Sequence, residues 1–289
     1  MMNTAMMNKV ALIAGTVAVG VLSAQSAQAG TLHQGWNYSI DAVGDGSGGS
    51  VYDIKGLAIK ETADDIYVSI SANLPLTGID YSIATDNNVG WGDLFFDFSN
   101  GTFLEASDNQ SLFAVNFATG TDSEAPEIGV YGNVSAKSVG LQNDGYGTLE
   151  HYYNEGWGKP ATMGDLATTE AVYSYYAGDA LSDDDTPLKN VIDSGDRLGD
   201  ISFVSAQEAQ AAGLDFANFN AAGSEQITFK FDRALLPSGA YLAHLFEECA
   251  NDGVAISGDF AKDVPEPGAL AGLATVGLLA ARLRRRRLA

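Results

Sequence analysis

The side chains in this sequence that are best suited to chemistry are carboxylates on short, polar loops. The loop Thr85–Asp93 alternates short oxygen-bearing side chains with glycines, and the loop Ser182–Thr186 contains three adjacent aspartates. Calcium takes roughly six to eight oxygen ligands, usually from loops on which several oxygens converge. We therefore expect calcium as the one candidate cofactor, bound in the first loop by Asp86, Asn88 and Asp93. Solvated acidic turns are the alternative for both loops, because neither matches the Asp-x-Asp-x-Asp-Gly pattern.

Sequence motifs for catalysis are absent. The chain contains no G-x-S-x-G, H-E-x-x-H or phosphate-binding loop pattern. A glycosidase needs two carboxylates roughly 5–10 Å apart, whereas Asp93 and Asp97 on one predicted strand would lie about 13 Å apart at about 3.3 Å per residue. Glu150, His151 and Glu155 could hold a metal ion, but loop residues of this kind more often form surface hydrogen bonds. We therefore predict a protein that is not an enzyme and keep a secreted hydrolase as the third candidate function.

Aromatic side chains crowd the region 140–180. They are Tyr146, Tyr152, Tyr153, Trp157, Tyr173, Tyr175 and Tyr176. Exposed tyrosine and tryptophan rings present flat apolar faces with a polar edge, on which sugar rings can stack. The candidate sugar-binding residues are Tyr152, Tyr153 and Trp157, and a carbohydrate-binding module for envelope polysaccharide is the alternative function. A small satellite core under a long loop is the structural alternative.

The region 30–263 is strongly acidic. The whole chain has a net charge of −22, and this region contains 9 basic against 36 acidic residues, which is a net charge of about −27. Such a surface repels nucleic acids and anionic lipids, so nucleic-acid partners are excluded. Cys249 is the only cysteine, which excludes an internal disulfide. Glu247 and Glu248 beside it disfavour a thiolate, so a buried structural thiol is expected.

Nearly every periodic segment in this region has a period of two, which is typical of strands with one buried face. Every second residue is apolar from Ile66 to Leu74, and the same alternation runs through Leu94–Phe98. Gly56 interrupts a further segment and predicts a β-bulge. The other predicted strands are Val51–Lys60, Leu112–Phe117, Ile128–Val134, Ile201–Val204, Ile227–Phe231, Tyr241–Phe246 and Val254–Phe260. We therefore predict an all-β fold, mainly an antiparallel β-sandwich of jelly-roll-like topology with one or two short helices.

Helical signals are few. Ser205 and Glu208 form a capping-box pattern ahead of the helix-forming residues 206–212, and Gly213 follows at a helix-terminating position. The stretch Asp165–Gly178 suits a strand as well as a helix. The polar region 140–199 interrupts the rhythm of strands, so we expect a loop-rich insertion at one end of the sandwich.

Residues 1–29 have the pattern of a secretory signal peptide. Lys9 supplies positive charge ahead of the apolar stretch Val10–Leu22, and Ala27 and Ala29 are the small residues expected before a cleavage at Gly30. We therefore predict export, with signal peptidase as a partner.

The tail 264–289 combines three features: the sequence Val264-Pro265-Glu266-Pro267, an uncharged run of 14 residues over 268–281, and a cluster of arginines. The prolines prevent a helix from starting before the run, and we predict a transmembrane helix over 268–283. The arginines that stop it are Arg282, Arg284, Arg285, Arg286 and Arg287. Because an arginine at the membrane centre costs about 2.5–3.5 kcal/mol, 282–289 stays in the cytoplasm.

The apolar run is short for a permanent anchor. At about 1.5 Å per residue it extends roughly 21 Å, against a hydrocarbon core of about 30 Å. A short helix of this kind favours a temporary hold on the membrane.

The order and spacing of these three features resemble the PEP-CTERM sorting signal of exosortase-dependent bacterial proteins. The resemblance implies that a membrane-embedded thiol transpeptidase of the exosortase type cuts at the Pro-Glu-Pro element. It also implies that the protein then passes to the envelope or to the outside of the cell.

Two interior stretches carry weaker resemblances. Residues 35–78 resemble the opening of a group of exosortase-dependent surface proteins, and residues 240–258 resemble a hairpin that closes bacterial surface domains before the anchor. The matching residues of the hairpin are His244, Glu248, Cys249, Asn251 and Asp252. We therefore expect a non-catalytic exported protein, sorted to the cell surface or extracellular matrix, with a structural or adhesive role.

Overall fold

The computed structural model describes residues 30–42, 47–155, 163–178 and 186–261. The predicted signal peptide, the sorting tail, Trp157 and most of the second acidic loop (182–185) lie outside these residues. Within the described ranges, no helix is both long enough and apolar enough to cross a membrane.

The described residues form fourteen strands and four α-helices, with three 3-10 helices at Gly140–Asn143, Phe216–Phe219 and Arg233–Leu235. The strands are β1 (Thr31–His33), β2 (Trp36–Ile40), β3 (Ile54–Glu61), β4 (Asp65–Ala72), β5 (Ile79–Asp80), β6 (Asn88–Val89), β7 (Leu94–Asp97), β8 (Leu112–Asn116), β9 (Gly129–Lys137), β10 (Val191–Gly199), β11 (Ser202–Phe203), β12 (Glu225–Asp232), β13 (Gly239–Phe246) and β14 (Gly253–Phe260). The helices are α1 (Phe103–Asp108), α2 (Leu149–Glu155), α3 (Thr169–Ala177) and α4 (Ala206–Ala211).

Two six-stranded sheets dominate the fold. Sheet 1 has the spatial order β1-β2-β3-β4-β12-β11, sheet 2 has the order β10-β9-β8-β7-β13-β14, and β5 and β6 form a separate pair. Neighbouring strands are antiparallel, which confirms the predicted all-β class. In each sheet, four strands that are consecutive in the sequence lie side by side (β1–β4 in sheet 1 and β7–β10 in sheet 2), and two strands from later in the chain extend one edge. The jelly-roll-like topology expected from the sequence is therefore wrong. A jelly roll would be built from two Greek keys.

The largest core lies between the two sheets and follows the predicted alternation. Ile66, Val68 and Ile70 of β4 are fully buried against sheet 2. Across the interface, the rings of Phe117 and Phe229 stack with centroids 5.3 Å apart. The pairing of β3 with β4 shifts register between Ile54 and Gly56, so the predicted irregularity at Gly56 is confirmed.

The outer face of sheet 1 is covered by α4 and the 3-10 helix that follows it. Ser205 caps α4 through the predicted capping box with Glu208, and Gly213 has a positive φ of 95° just after the helix. The indole of Trp36 on β2 donates a hydrogen bond of 3.0 Å to the carbonyl of Ala212. A small apolar cluster thus closes this face.

The outer face of sheet 2 is covered by α1, α2 and α3. Phe103 of α1, Tyr152 of α2 and Tyr176 of α3 are buried with Phe95 of β7 and Phe246 of β13 in a second apolar cluster. Sheet 2 is therefore buried on both faces, and the sandwich has a helical layer outside it.

This arrangement corrects the prediction for 140–199. The described parts of the region do not form a loop-rich insertion at one end, because α2 and α3 cover sheet 2 and β10 forms its edge strand against β9. The polar sequence of β10 reflects its exposed edge position, since most of its side chains after Ile192 face solvent.

The other edge of sheet 2 is protected by a short segment around Asp165. The amide of Asp165 donates to the carbonyl of Ala255 (3.0 Å), and the amide of Ser257 donates to Asp165 Oδ2 (2.8 Å). Ser39 Oγ of sheet 1 also donates to Ala255 (2.6 Å). Exposed strand edges invite association with other chains, and these bonds use the donors and acceptors that β14 would otherwise leave open.

The cap of α1 gives a first test of the helical layer. Thr102 Oγ1 accepts the amide of Glu105, and the Glu105 carboxylate accepts the amide of Thr102. Thr102→Ala should lower the free energy of unfolding by about 1 kcal/mol. Thr102→Ser keeps the hydroxyl and should therefore retain most of the stability that the cap contributes. Urea unfolding of the three proteins measures this, and equal losses in both variants would show that the cap does not stabilise the helix.

Candidate functional site

A cleft opens between the helical layer and the exposed end of sheet 2. It has a volume of about 1290 Å³ and lies among the end of β7, the start of β13, β14, and helices α1 and α3. Its acidic lining residues are Asp97, Glu105, Asp165 and Glu170. Its lining residues with side-chain hydroxyls include Ser99, Thr102, Thr168, Ser174, Tyr175 and Ser257. None of the described residues that line it is Lys, Arg or His.

Strand register sets the positions of the two most buried carboxylates. Leu242 of β13 pairs with Asp97 of β7 on one side and with Ser257 of β14 on the other. The Ser257 amide and hydroxyl both donate to Asp165 Oδ2, at 2.8 and 3.0 Å. Neighbouring strands lie about 4.8 Å apart, so two spacings, roughly 10 Å, separate Asp97 from Ser257. Asp165 lies further out, beyond the outer edge of β14. Leu242 lies between Asp97 and Ser257.

Both carboxylates are held in environments that disfavour their charge. Burial raises the pKa of Asp97 and outweighs the hydrogen bonds from the Ser99 side chain and amide, which lower it; the bond from the amide is 2.7 Å long. Burial likewise raises the pKa of Asp165, against its bonds from Ser257 and Ser39. Among the described residues, neither Asp97 nor Asp165 has a basic partner within ion-pair distance. Carboxylates of this kind in a cleft are typical of functional sites.

Behind the cleft, Tyr175 is joined to a buried histidine. Its hydroxyl lies 3.0 Å from Nδ1 of His244 on β13. The imidazole stacks on Phe95 and meets Phe103 edge-on at 4.5 Å, and burial lowers the pKa of His244 to about 3. His244 is therefore neutral, and with Tyr175 as the donor its other nitrogen, Nε2, carries the proton. Nε2 has no hydrogen-bond partner among the described residues.

The chemistry that this cleft supports is recognition of hydroxyl groups more than bond cleavage. Asp165 lies beyond Ser257, which is itself roughly 10 Å from Asp97 by strand spacing, so the two carboxylates are on positions wider apart than the upper limit for an inverting glycosidase, about 9.5 Å. His244 is buried and its pKa is lowered to about 3, so it is too weakly basic to be a good candidate for a general base. Acceptors and hydroxyls without a cation instead suit a ligand that donates several hydrogen bonds.

Two of the three residues predicted to bind sugar, Tyr152 and Tyr153, belong to an apolar cluster. Tyr152 is only 1% exposed, and its ring packs on Phe246 in the core under the helical layer. Tyr153 is partly buried and stacks on Tyr173 at 5.7 Å. Trp157 lies outside the described residues. Tyr152 and Tyr153 therefore pack in the satellite core that was the structural alternative.

The residues of the predicted calcium loop are engaged by backbone groups. Asp86 is exposed and accepts the amide of Asn88 (2.9 Å), whereas Asp93 is buried and accepts the amide of Ile192 (2.7 Å). Asn88 donates to the carbonyl of Gly120. In the described part of the chain, no group of three or more His, Cys, Asp or Glu side chains is arranged to hold a metal ion. The geometry gives the calcium expectation no support.

The closing hairpin β13–β14 has a structural role that the sequence reading missed. Glu248 accepts the amides of Gly90 (2.7 Å) and Asp122, and burial raises its pKa to about 8. Asp252 accepts the amide of Ile54 of sheet 1 (2.8 Å). Cys249 is buried, and burial raises its pKa well above the ordinary value, which confirms the expected structural thiol. The resemblance at this hairpin was the signal that could have indicated these contacts.

No protein-family model, curated protein or solved structure matches this chain. The role of the cleft rests on its geometry alone.

Two neighbouring tyrosines give a matched test of the wall behind the cleft. Tyr175→Phe removes the partner of buried His244, so we expect a loss of about 1–3 kcal/mol in the free energy of unfolding. The hydroxyl of Tyr176 is buried without a partner among the described residues, so Tyr176→Phe should be neutral or stabilising. Chemical denaturation compares the two, and an equal loss in both variants would contradict the assigned hydrogen bond.

Asp93 gives a test that depends on pH. Burial raises its pKa to about 7, against the bond from Ile192. Because the folded state binds this proton more tightly than the unfolded chain, the stability contributed by Asp93 is complete below about pH 4 and is lost as the pH rises through 7. Between about pH 4 and pH 7, the free energy of unfolding of the wild type should therefore fall by roughly 3–4 kcal/mol relative to that of Asp93→Asn.

Urea unfolding at a series of pH values measures this difference. The variant Asp86→Asn changes the charge of an exposed side chain in the same region and should follow the wild-type curve. A constant difference between wild type and Asp93→Asn across the range would show that Asp93 titrates normally.

Proposed function

We propose that this chain is a non-catalytic exported protein, held briefly in the membrane by its tail and sorted by an exosortase-type system to the cell surface or extracellular matrix. The observation that carries the proposal is the tail itself: Pro265-Glu266-Pro267, the short apolar run and the terminal arginines. Signal peptidase and an exosortase-type transpeptidase are the partners during export, and contact with the membrane is transient. After delivery the role is structural or adhesive.

The end of the folded domain supports a processing point just beyond it. The amide of Ala261 donates to both carboxylate oxygens of Glu61 (3.1 and 3.0 Å), and Arg233 donates to the carbonyl of Ala261 (3.1 Å). Arg233 also pairs with Glu61 and lies over the ring of Phe260. The chain is therefore fixed to the domain three residues before Val264. A cut at the Pro-Glu-Pro element would leave these contacts intact.

The surroundings of the reactive side chains support a role without catalysis. Cys249 is buried beside acidic residues, and its raised pKa disfavours a nucleophilic thiolate. His244 is buried and neutral, and among the described residues it is hydrogen-bonded to Tyr175 rather than to a nucleophile. Neither residue has the activated environment that covalent catalysis requires.

Intact mass spectrometry of the delivered protein tests the proposal. We expect a mature chain that begins at Gly30 and lacks Arg284–Arg287. Replacing Pro265, Glu266 and Pro267 by alanine should leave the tail attached and the protein in the membrane fraction, because the processing element is lost. The matched control Asp259→Asn, on β14 ahead of the tail, should be processed normally.

Finding Arg284–Arg287 on the delivered wild-type protein would contradict processing. The tail would then be a permanent anchor.

A further inference from the structure

We propose that the cleft between helix α3 and the β7–β13–β14 end of sheet 2 binds a neutral saccharide chain. The site differs from the aromatic group Tyr152, Tyr153 and Trp157, and it does not depend on the tail. It gives the delivered domain a ligand, which goes beyond its export and sorting.

The charge of the cleft selects the class of ligand. Asp97, Glu105, Asp165 and Glu170 line it, and its described lining contains no basic side chain. These carboxylates would repel an anionic polymer, and no basic side chain of the described lining would offset that repulsion. The net charge of the domain is also strongly negative, which adds to the repulsion. A metal ion is not favoured either, since no group of three or more ligands is arranged for one in the described residues. A neutral ligand rich in hydroxyl donors fits the acceptors that remain.

The floor of the cleft matches the two-sided character of a sugar ring. Asp97 lies at one end of the row and Asp165 lies just beyond Ser257 at the other end, and both carboxylates can accept hydrogen bonds from hydroxyl groups. Leu242 between them offers an apolar surface to the C–H groups of a ring. Ser174 and Thr168 of the α3 wall add hydroxyls on the solvent side.

The polar groups of the floor are held in place before a ligand arrives. Asp97 is fixed by the amide of Ser99, and Asp165 by the amide and hydroxyl of Ser257. Fixed acceptors lose little conformational freedom on binding, which favours affinity.

The size of the cleft indicates an oligomer. Its volume of about 1290 Å³ exceeds the roughly 300–1,000 Å³ of pockets for single small molecules. Several linked rings fit such a space better than one monosaccharide.

Isothermal titration calorimetry of the intact mature protein tests the proposal. The probes are the neutral hexasaccharides of β-1,4-linked glucose, N-acetylglucosamine, mannose and xylose, with hexagalacturonate as the anionic comparison. We expect at least one neutral hexasaccharide to bind and hexagalacturonate not to bind. Asp165→Asn should weaken the neutral ligand at least tenfold, while Asp86→Asn, an exposed carboxylate outside the cleft, should leave its affinity unchanged.

A second variant guards against loss of the fold. Ser174 is exposed on α3 and lines the cleft, so Ser174→Arg should fill the site without disturbing the core. We expect an unchanged melting temperature and loss of binding. The proposal is overturned if no neutral hexasaccharide binds, if hexagalacturonate binds equally well, or if Ser174→Arg and Asp165→Asn bind like wild type. Correct delivery of the same variants to the cell surface separates these outcomes from a failure of sorting.

Discussion

Burial of sheet 2 on both faces is the constraint on which the rest of this structure depends. Its inner face packs on sheet 1 and its outer face on α1, α2 and α3, so polar side chains on the outer face must find partners inside the protein. Asp93 bonds to a backbone amide of β10, and His244 bonds to Tyr175 of α3. Where the helical layer ends, the same face of the sheet becomes the floor of the acidic cleft. The site is thus the margin of a buried surface, with α1 and α3 as its walls.

The strands were predictable because each has one face on the core between the sheets. The alternation from Ile66 to Leu74 and the irregularity at Gly56 were both visible in the sequence. The helical layer was not, since α1 spans only 6 residues and shows no periodicity. Its Thr102–Glu105 capping box matches the same pattern as Ser205–Glu208 and was the available signal. The tyrosines of α3 suited a strand equally well, because aromatic residues are common in strands and α3 is too short for a clear helical pattern.

The cleft could not have been found from the sequence. Asp97, Leu242 and Ser257 are far apart along the chain, and only the pairing of β7, β13 and β14 places them in one row. The aromatic residues of 140–180 that the structure describes pack on one another and on sheet 2. The acidic loop at Asp86 suggested calcium because spacing shows which oxygens are near in sequence. Sequence spacing does not show which of these oxygens already accept hydrogen bonds from backbone amides, as those of Asp86 and Asp93 do.

Because sheet 2 is buried on its outer face by the helical layer, the two should unfold as one unit, and native-state hydrogen exchange measures this most directly. Amides of α3 and of β13 should open with free energies that converge as urea is added, because Tyr176 and His244 share one apolar cluster. Exchange from α3 at a much lower free energy, unchanged by urea, would mean that the helices are a loosely attached insertion. The cleft would then have no fixed wall.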